Sequence, residues 1–305
     1  MDGMQLKEMQ EWSLERKVFH TISTIQCFMS RTAETGGGYY VSFSGGADSL
    51  VLLDITRKFI DKNFLAVFCM TGNEWPEIVR FVRTFDNVEI IRPRYRMKDI
   101  IAKYGFPLIS KEVSNYVYDA KTFRPESKTN KKRMGECGSK FAIPKKWVRI
   151  VDEKFLISHK CCYYLKKEPF HSYEKRTGRL PLIGTLAAES NLRKAEYLKR
   201  GGCNSFSGRI ASYPMSIWTP EDIWNYINLN KIKYCEIYDK LEHKQTGCMA
   251  CGYGMHISNA KLRTLLKLKP KIYEWMMQLE NNGIDYRTAF RHIGVSLPDE
   301  SVELF

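Results

Sequence analysis

The sequence predicts an α/β fold, a parallel sheet flanked by helices, with a helical, cysteine-bearing C-terminal portion. Three observations predict it. Short apolar, β-branched runs alternate with segments of helical periodicity from about residue 39 onward. The links between them are short, as in a parallel sheet wrapped by helices. The tail from Asn259 keeps apolar residues at helical spacing, at Leu262, Leu265, Leu266, Ile272, Trp275, Met276 and Leu279.

The elements follow in order. Leu6, Met9, Leu14, Val18, Ile22, Ile25 and Phe28 recur near a 3.6 period and predict one long helix over 5–33, closed by Gly36 to Gly38. A buried strand centred on 41–43 leads into a helix over 48–60. A second strand, FLAVFCM (64–70), ends at Thr71-Gly72-Asn73, and a helix over 75–85 carries Pro76 in its first turn, where a missing N–H costs nothing. VEIIRP (88–93) is a third strand and MKDIIAKYG (97–105) a helix ending at glycine. Residues 121–149 hold ten Lys or Arg among Gly, Pro and Ser and read as a basic, partly looped, mobile excursion. Strand 180–187 and helix 189–200 restore the alternation, and Thr219 with Asp222 nearly matches a capping box. The expected organisation is a helix over 1–34 packed on the core, a nucleotide-binding α/β domain over 35–228 with the basic insertion, and a helical portion over 229–305 completing a cysteine site.

Of the 305 residues, 44% are hydrophobic and 27% charged, an ordinary soluble mix. No stretch reaches the ~18 apolar residues of a membrane span, and the first residues have no signal-peptide pattern. A cytoplasmic protein is expected. The net charge of +14 suits a polyanionic partner or serves solubility.

The chemistry concentrates where a strand ends in SFSGGADS (42–49). Gly45 and Gly46 allow a tight turn and close backbone approach. The helix behind them aims its unpaired N–H groups and positive dipole end at the same spot. Ser44 and Ser49 add hydroxyls, so the turn suits phosphate or pyrophosphate. Asp48 would repel that anion unless a divalent cation lies between them, which implies Mg²⁺. The turn lacks the GxxxxGK[ST] form, which disfavours cleavage at a γ-phosphate. Nine cysteines in a chain of this kind point to burial, metal or redox use rather than a disulfide framework. Adjacent Cys161 and Cys162, with Cys248 and Cys251 in a CxxC, supply four thiolates suited to a [4Fe–4S] cluster or to zinc with His243 or His256; four unmetallated cysteines are the plain alternative. Cys27, Cys69 and Cys235 read as buried packing residues, and Cys137 and Cys203 as exposed.

SFSGGADS resembles the pyrophosphate-binding loop of the N-type ATP pyrophosphatases, of adenine nucleotide α-hydrolase-like fold. TGNEWPE (71–77), PLIGTLAAESNLR (181–193) and WTPEDIWNYI (218–227) resemble the corresponding segments of the phosphoadenosine-phosphosulfate reductase-like branch, and CC followed by CxxC resembles its iron–sulfur members. The resemblance runs from about residue 39 to 252 and implies ATP contacts at Ser42, Phe43, Ser44, Gly45, Gly46, Asp48, Ser49, Met70, Thr71, Gly72 and Glu74. Catalytic roles fall to Asp48, Ser49 and Lys111, and second-substrate contacts to Lys111, Glu189, Ser190 and Arg193. Two positions depart from the branch. Leu186 stands where GxRxxES has arginine, and GVSLPDESVELF replaces the ECGLH-like tail whose cysteine attacks sulfate. The expected activity is therefore cleavage of ATP to AMP and pyrophosphate, adenylating a nucleic acid or nucleotide for sulfur transfer. The alternatives are a sulfonucleotide reductase using an external thiol and a non-catalytic nucleotide- or redox-sensing protein. Nucleic acid, a sulfur-donor protein, and a homo-oligomer or larger complex are the expected partners, with no membrane.

Overall fold

The computed structural model describes residues 2–241 and 246–300, with only the backbone at 137. The chain divides into two compact units. The first comprises Met1–Met70, Trp75–Arg92 and Pro169–Tyr238; the second comprises Thr71–Glu74, Pro93–Glu168 and Asp239–Phe305. Residues 93–168 thus group with the C-terminal segment.

The first unit holds a six-stranded sheet. Its order is Val88–Ile91, Ala66–Cys69, Tyr39–Ser42, Leu180–Ile183, Ala211–Ser212 and Asn204–Ser205. All neighbours are parallel except the last pair. Val41 pairs with both Ala66 and Leu182. The chain order reverses on either side of Tyr39–Ser42, so the carboxyl ends of that strand and Leu180–Ile183 flank a topological switch point, the place where open α/β sheets bind ligands. The Ala47–Phe59 helix leaves the central strand, and helices Leu14–Arg31 and Pro220–Leu229 pack against it. The Thr219–Asp222 capping box forms as the sequence suggests.

One element differs from the sequence reading, and another is filled in by the structure. The expected helix over 5–33 is two helices, Gly3–Gln10 and Leu14–Arg31. Ser13 breaks it: its hydroxyl accepts from Arg16 N at 3.3 Å and starts a new helix. The basic excursion is largely helical, with Lys128–Met134 capped by Ser127 and a 3₁₀ stretch over Lys145–Asp152. Local capping and inward-turned basic side chains order it, which composition does not show.

The second unit is mainly helical, with Met97–Tyr104, Lys111–Thr122, Ala260–Leu268, Pro270–Met277 and Tyr286–His292. A short parallel pair joins Leu108–Ile109 to Gly252–Tyr253. No helix among the described residues is long and apolar enough to cross a membrane.

A buried ion pair ties the second helix to the Pro220–Leu229 cap. Lys17 is 1% exposed, and its ammonium donates to Asp222 at 2.6 Å and to the Gln10 carbonyl at 2.7 Å. Lys17→Met would leave Asp222 without its cation, so urea denaturation is expected to show a loss of about 3 kcal/mol. A midpoint equal to that of the unmodified chain would contradict this.

Candidate functional site

The Ser-Gly-Gly turn forms at the switch point of the first unit. Gly45 has φ +71, and a Cβ there would lie 2.8 and 2.9 Å from methyls of Val82 and Ile78, so only glycine fits. Gly184, just past its strand, packs so closely that a Cβ would lie 3.1 Å from the Asp48 carbonyl oxygen. Ser49 is buried. It accepts from Ser44 N at 3.1 Å, donates to the Gly46 carbonyl at 3.0 Å, and lies 3.0 Å from the Ser44 hydroxyl. Ser49 therefore holds the turn's shape, while Ser44 is exposed. Phe43 turns its ring into the core against Phe85 and offers the site only backbone. Ser42 ends the strand, and half-buried Met70 follows the end of the next one.

Asp48 and Arg193 meet electrostatically beside this turn. Asp48 is half-buried, and burial pushes its carboxyl from 3.8 up to about 6, against the opposing pull of Arg193. Arg193 in turn is lowered by its own burial and supported by Asp48. Glu189 pairs with the Arg193 guanidinium and accepts from Leu186 N at 3.2 Å. Ser190 caps the Asn191–Arg200 helix by accepting from Arg193 N at 3.2 Å. The Glu189, Ser190 and Arg193 of the sequence reading thus form one device that orients Arg193. Leu186, at 1% exposure, is a core residue. Tyr238 was missed by sequence reasoning: its hydroxyl accepts from Ala47 N at 2.8 Å, the first amide of the helix. No local pattern signals that contact, which spans 191 positions. A partly buried carboxylate at a helix N-terminus suits Mg²⁺, which binds through one or two carboxylates together with substrate phosphates.

The second unit gathers the cysteines. The Cys161 thiol is held far above its usual range by its hydrogen bond to Cys162 and by burial, with Cys251 and Cys248 adding to the effect. Cys162 is pushed down to about 6 by the Cys161 hydrogen bond and by Lys111, Lys166 and Lys167. Burial raises Cys251, opposed by Lys261, and Cys248 raises Lys166 above its ordinary value. Cys161, Cys162, Cys248 and Cys251 thus come within electrostatic reach of each other, with lysines around them. Lys111 stands beside Cys162 and His159. Among the described residues no group of three or more His, Cys, Asp or Glu side chains is arranged to hold a single metal ion. A [4Fe–4S] cube takes one thiolate on each of four irons, so the donor set matches it in kind and number. His256 sits edge-on against Trp147, and His243 lies outside the described residues.

Three contacts shape the CxxC turn. Asn73 is buried; its carbonyl accepts from Met249 N and its side-chain oxygen from Ala250 N, each at 2.8 Å. Thr71 and Gly72 donate their amides to Glu74 at 3.0 and 3.1 Å, so Glu74 braces this segment. Lys261 donates to the carbonyls of Cys248 and Cys251. After the CC pair, Tyr163–Lys167 form a π turn, a feature frequent at functional sites. Thr71, Gly72 and Glu74, expected at the nucleotide, belong to this second unit.

Two other cysteines depart from expectation. Cys27 is exposed because it falls on the outer face of Leu14–Arg31. Cys203 is buried, 3.8 Å from His20, and burial raises it to about 11. Cys69 and Cys235 are buried as expected; the Cys137 side chain lies outside the described residues.

Sheet order, turn and cysteine placement define a nucleotide-type α/β protein with a cysteine-rich second unit. The chain belongs to the phosphoadenosine phosphosulfate reductase domain family, which it matches over residues 38–116 and 109–253. It is 26% identical over 275 residues to an uncharacterized protein of Methanocaldococcus jannaschii, covering 89% of this chain and 54% of that one. The chain thus spans about half the length of that relative. It is 26% identical over 218 residues to the adenosine 5'-phosphosulfate reductase of Oceanobacillus iheyensis, covering 70% of each. Among solved structures it is similar to Candida glabrata FMN adenylyltransferase, with TM-score 0.43 and 11% identity over 80% of this chain and 67% of that one. It is also similar to a U34-tRNA thiolase from Methanococcus maripaludis with its [4Fe-4S] cluster, with TM-score 0.35 and 13% identity over 90% and 83%.

Two outcomes follow from this geometry. Because Asp48 titrates higher folded than unfolded, its stabilising contribution is present below about pH 4 and lost as pH rises through about 6. Asp48→Asn is expected to stabilise the chain above pH 7 by on the order of 1–2 kcal/mol, discounted for partial exposure, with no gain near pH 4. Thermal melts across pH would expose an error as a gain independent of pH. A Cβ at Gly252 would lie 2.7 Å from the Tyr286 hydroxyl and 2.8 Å from the Pro107 carbonyl. Gly252→Ala is therefore expected to cost about 2 kcal/mol in urea denaturation.

Proposed function

We propose that this chain is an ATP pyrophosphatase that adenylates an acceptor, a nucleic acid or nucleotide, for sulfur transfer. The observation that carries this reading is the Ser44–Ser49 turn at the sheet's switch point, with Asp48 and Arg193 interacting beside it. In this reading the β,γ-phosphates of ATP lie on the helix N-terminus, where glycine lets the backbone approach. Ser49 keeps the turn rigid, and Tyr238 fixes the first amide. Asp48 would hold Mg²⁺, which neutralises charge on the leaving pyrophosphate when bound. Arg193, oriented by Glu189 and Ser190, stabilises the charge developing on the phosphates. Met70 borders the adenine. The acceptor oxygen attacks the α-phosphorus and pyrophosphate leaves; a sulfide-level sulfur nucleophile from the donor then attacks the acceptor atom that bears this oxygen, that bond to oxygen breaks, and AMP leaves carrying the oxygen.

Cys161, Cys162, Cys248 and Cys251 would hold a [4Fe–4S] cluster, which supplies a redox-active or structural sulfide-rich centre when bound. Lys111, Lys166 and Lys167 offset the negative charge of the thiolates. Lys111 is therefore assigned to the cysteine site. Glu74, with Thr71 and Gly72, supports the CxxC turn.

A second reading, sulfonucleotide reduction with an external thiol, is favoured by the relatives named adenosine 5'-phosphosulfate reductases. Buried Leu186 argues against it, because it gives a sulfate no cation where the branch has arginine.

Anaerobically prepared chain with Mg-ATP is expected to release pyrophosphate. Asp48→Ala should lower the rate by at least about a hundredfold, and Arg193→Gln by about tenfold or more. Sulfite release from adenosine 5'-phosphosulfate without pyrophosphate release from ATP would replace this reading with the second.

A further inference from the structure

The basic segment over 121–149 is unused by the chemistry above. Three of its cations are structural; Arg149 donates to the His292 carbonyl at 2.6 Å. Lys121 donates to the Val151 carbonyl at 3.0 Å, and Arg133 donates to Asp119 at 2.8 Å. By contrast Lys128, Lys131, Lys132, Lys140, Lys145 and Lys146 are exposed, and among the described residues Lys131 lies 3.9 Å from Glu136. Phe123 and Phe141 lie among them, each 48% exposed.

The two rings are not scattered. Buried Asn130 donates to the carbonyls of Ala120 and Phe123 at 2.7 and 3.1 Å. Arg133 donates to the Phe141 carbonyl at 3.3 Å, and the Lys132 ammonium lies 4.0 Å from the Phe141 ring centroid. Both phenylalanines are therefore pinned at the backbone to the Lys128–Met134 helix, which also carries Lys128, Lys131 and Lys132. Half-exposed aromatic rings set among lysines form a stacking platform with an electrostatic track. A duplex keeps its bases stacked and offers the platform only phosphates, whereas a single strand offers both groups.

We propose that this surface binds a single-stranded polynucleotide, with the lysines on its phosphates and Phe123 and Phe141 stacking on its bases. That strand would be the acceptor of the reading above, on which the assignment of a role to this surface rests.

Binding is measured without ATP, by fluorescence anisotropy of the full chain with labelled oligouridine and oligothymidine strands of about 15 nucleotides and with a matched duplex. Either single strand is expected to bind about tenfold or more tighter than the duplex. Lys128→Ala, Lys132→Ala and Lys140→Ala together should reduce the slope of log affinity against log salt by about 2. Phe123→Ala with Phe141→Ala should weaken binding about ten- to a hundredfold and leave that slope unchanged. The lysine variants should keep the urea midpoint of the unmodified chain, and the double phenylalanine variant, whose rings are half-buried, should remain folded at a somewhat lower midpoint. Duplex bound as tightly as the strands, or a double phenylalanine variant that binds normally, overturns the proposal. Pyrophosphate release without nucleic acid should be the same in all these variants; an unmodified chain that releases pyrophosphate but binds neither single strand removes this surface and spares the pyrophosphatase. Binding that persists in a chain unable to release pyrophosphate removes the reaction and spares the surface.

Discussion

Backbone amides at the start of the Ala47–Phe59 helix need acceptors, and no side chain of their own loop caps them. Much of the first unit is arranged around that need. Gly45 and Gly184 bring backbone and strand close enough to shape the turn. Ser49 is spent on holding it, and Tyr238 satisfies one amide from a distant part of the chain. What is left favours an anion. Asp48 then looks misplaced, since burial penalises its charge and Arg193 offsets that penalty only in part. Arg193 shares the site and supports the Asp48 charge; a divalent cation there belongs to the proposed reading.

The second unit solves the opposite problem. Four cysteine sulfurs are gathered in a partly buried place, where a thiolate on one disfavours a thiolate on the next, and lysines surround them. Lys111, Lys166 and Lys167 act on Cys162, and Lys261 acts on Cys251. The turn itself is held by Asn73, by Lys261 and by the tight seat of Gly252 against Tyr286. These groups support the geometry of the sulfurs without supplying ligands.

Much of the fold was legible in the sequence, for specific reasons. Short buried strands and the Thr219 capping box are local features that need only their neighbours. The N-terminal helix was misread because periodicity alone does not register the cap at Ser13. The helical pieces of the basic segment were not legible because Asn130, Arg133 and Lys121 order them through contacts invisible to a charge count. Cys27 and Cys203 exchanged their expected exposures. A helix has two faces, and a glycine-rich stretch can still run inward.

The sequence by itself determined the strand–turn–helix with its two glycines and the two cysteine pairs, because each depends on residue type at short spacing. It also determined the alternation that makes a sheet. Only the tertiary structure decided that Arg193 interacts with Asp48, that Tyr238 reaches Ala47, and that Asn73 braces the CxxC turn. It also assigned Thr71 to Glu74 to the second unit. These are pairings between residues tens to hundreds of positions apart, and no local preference encodes which distant groups a packed core brings together.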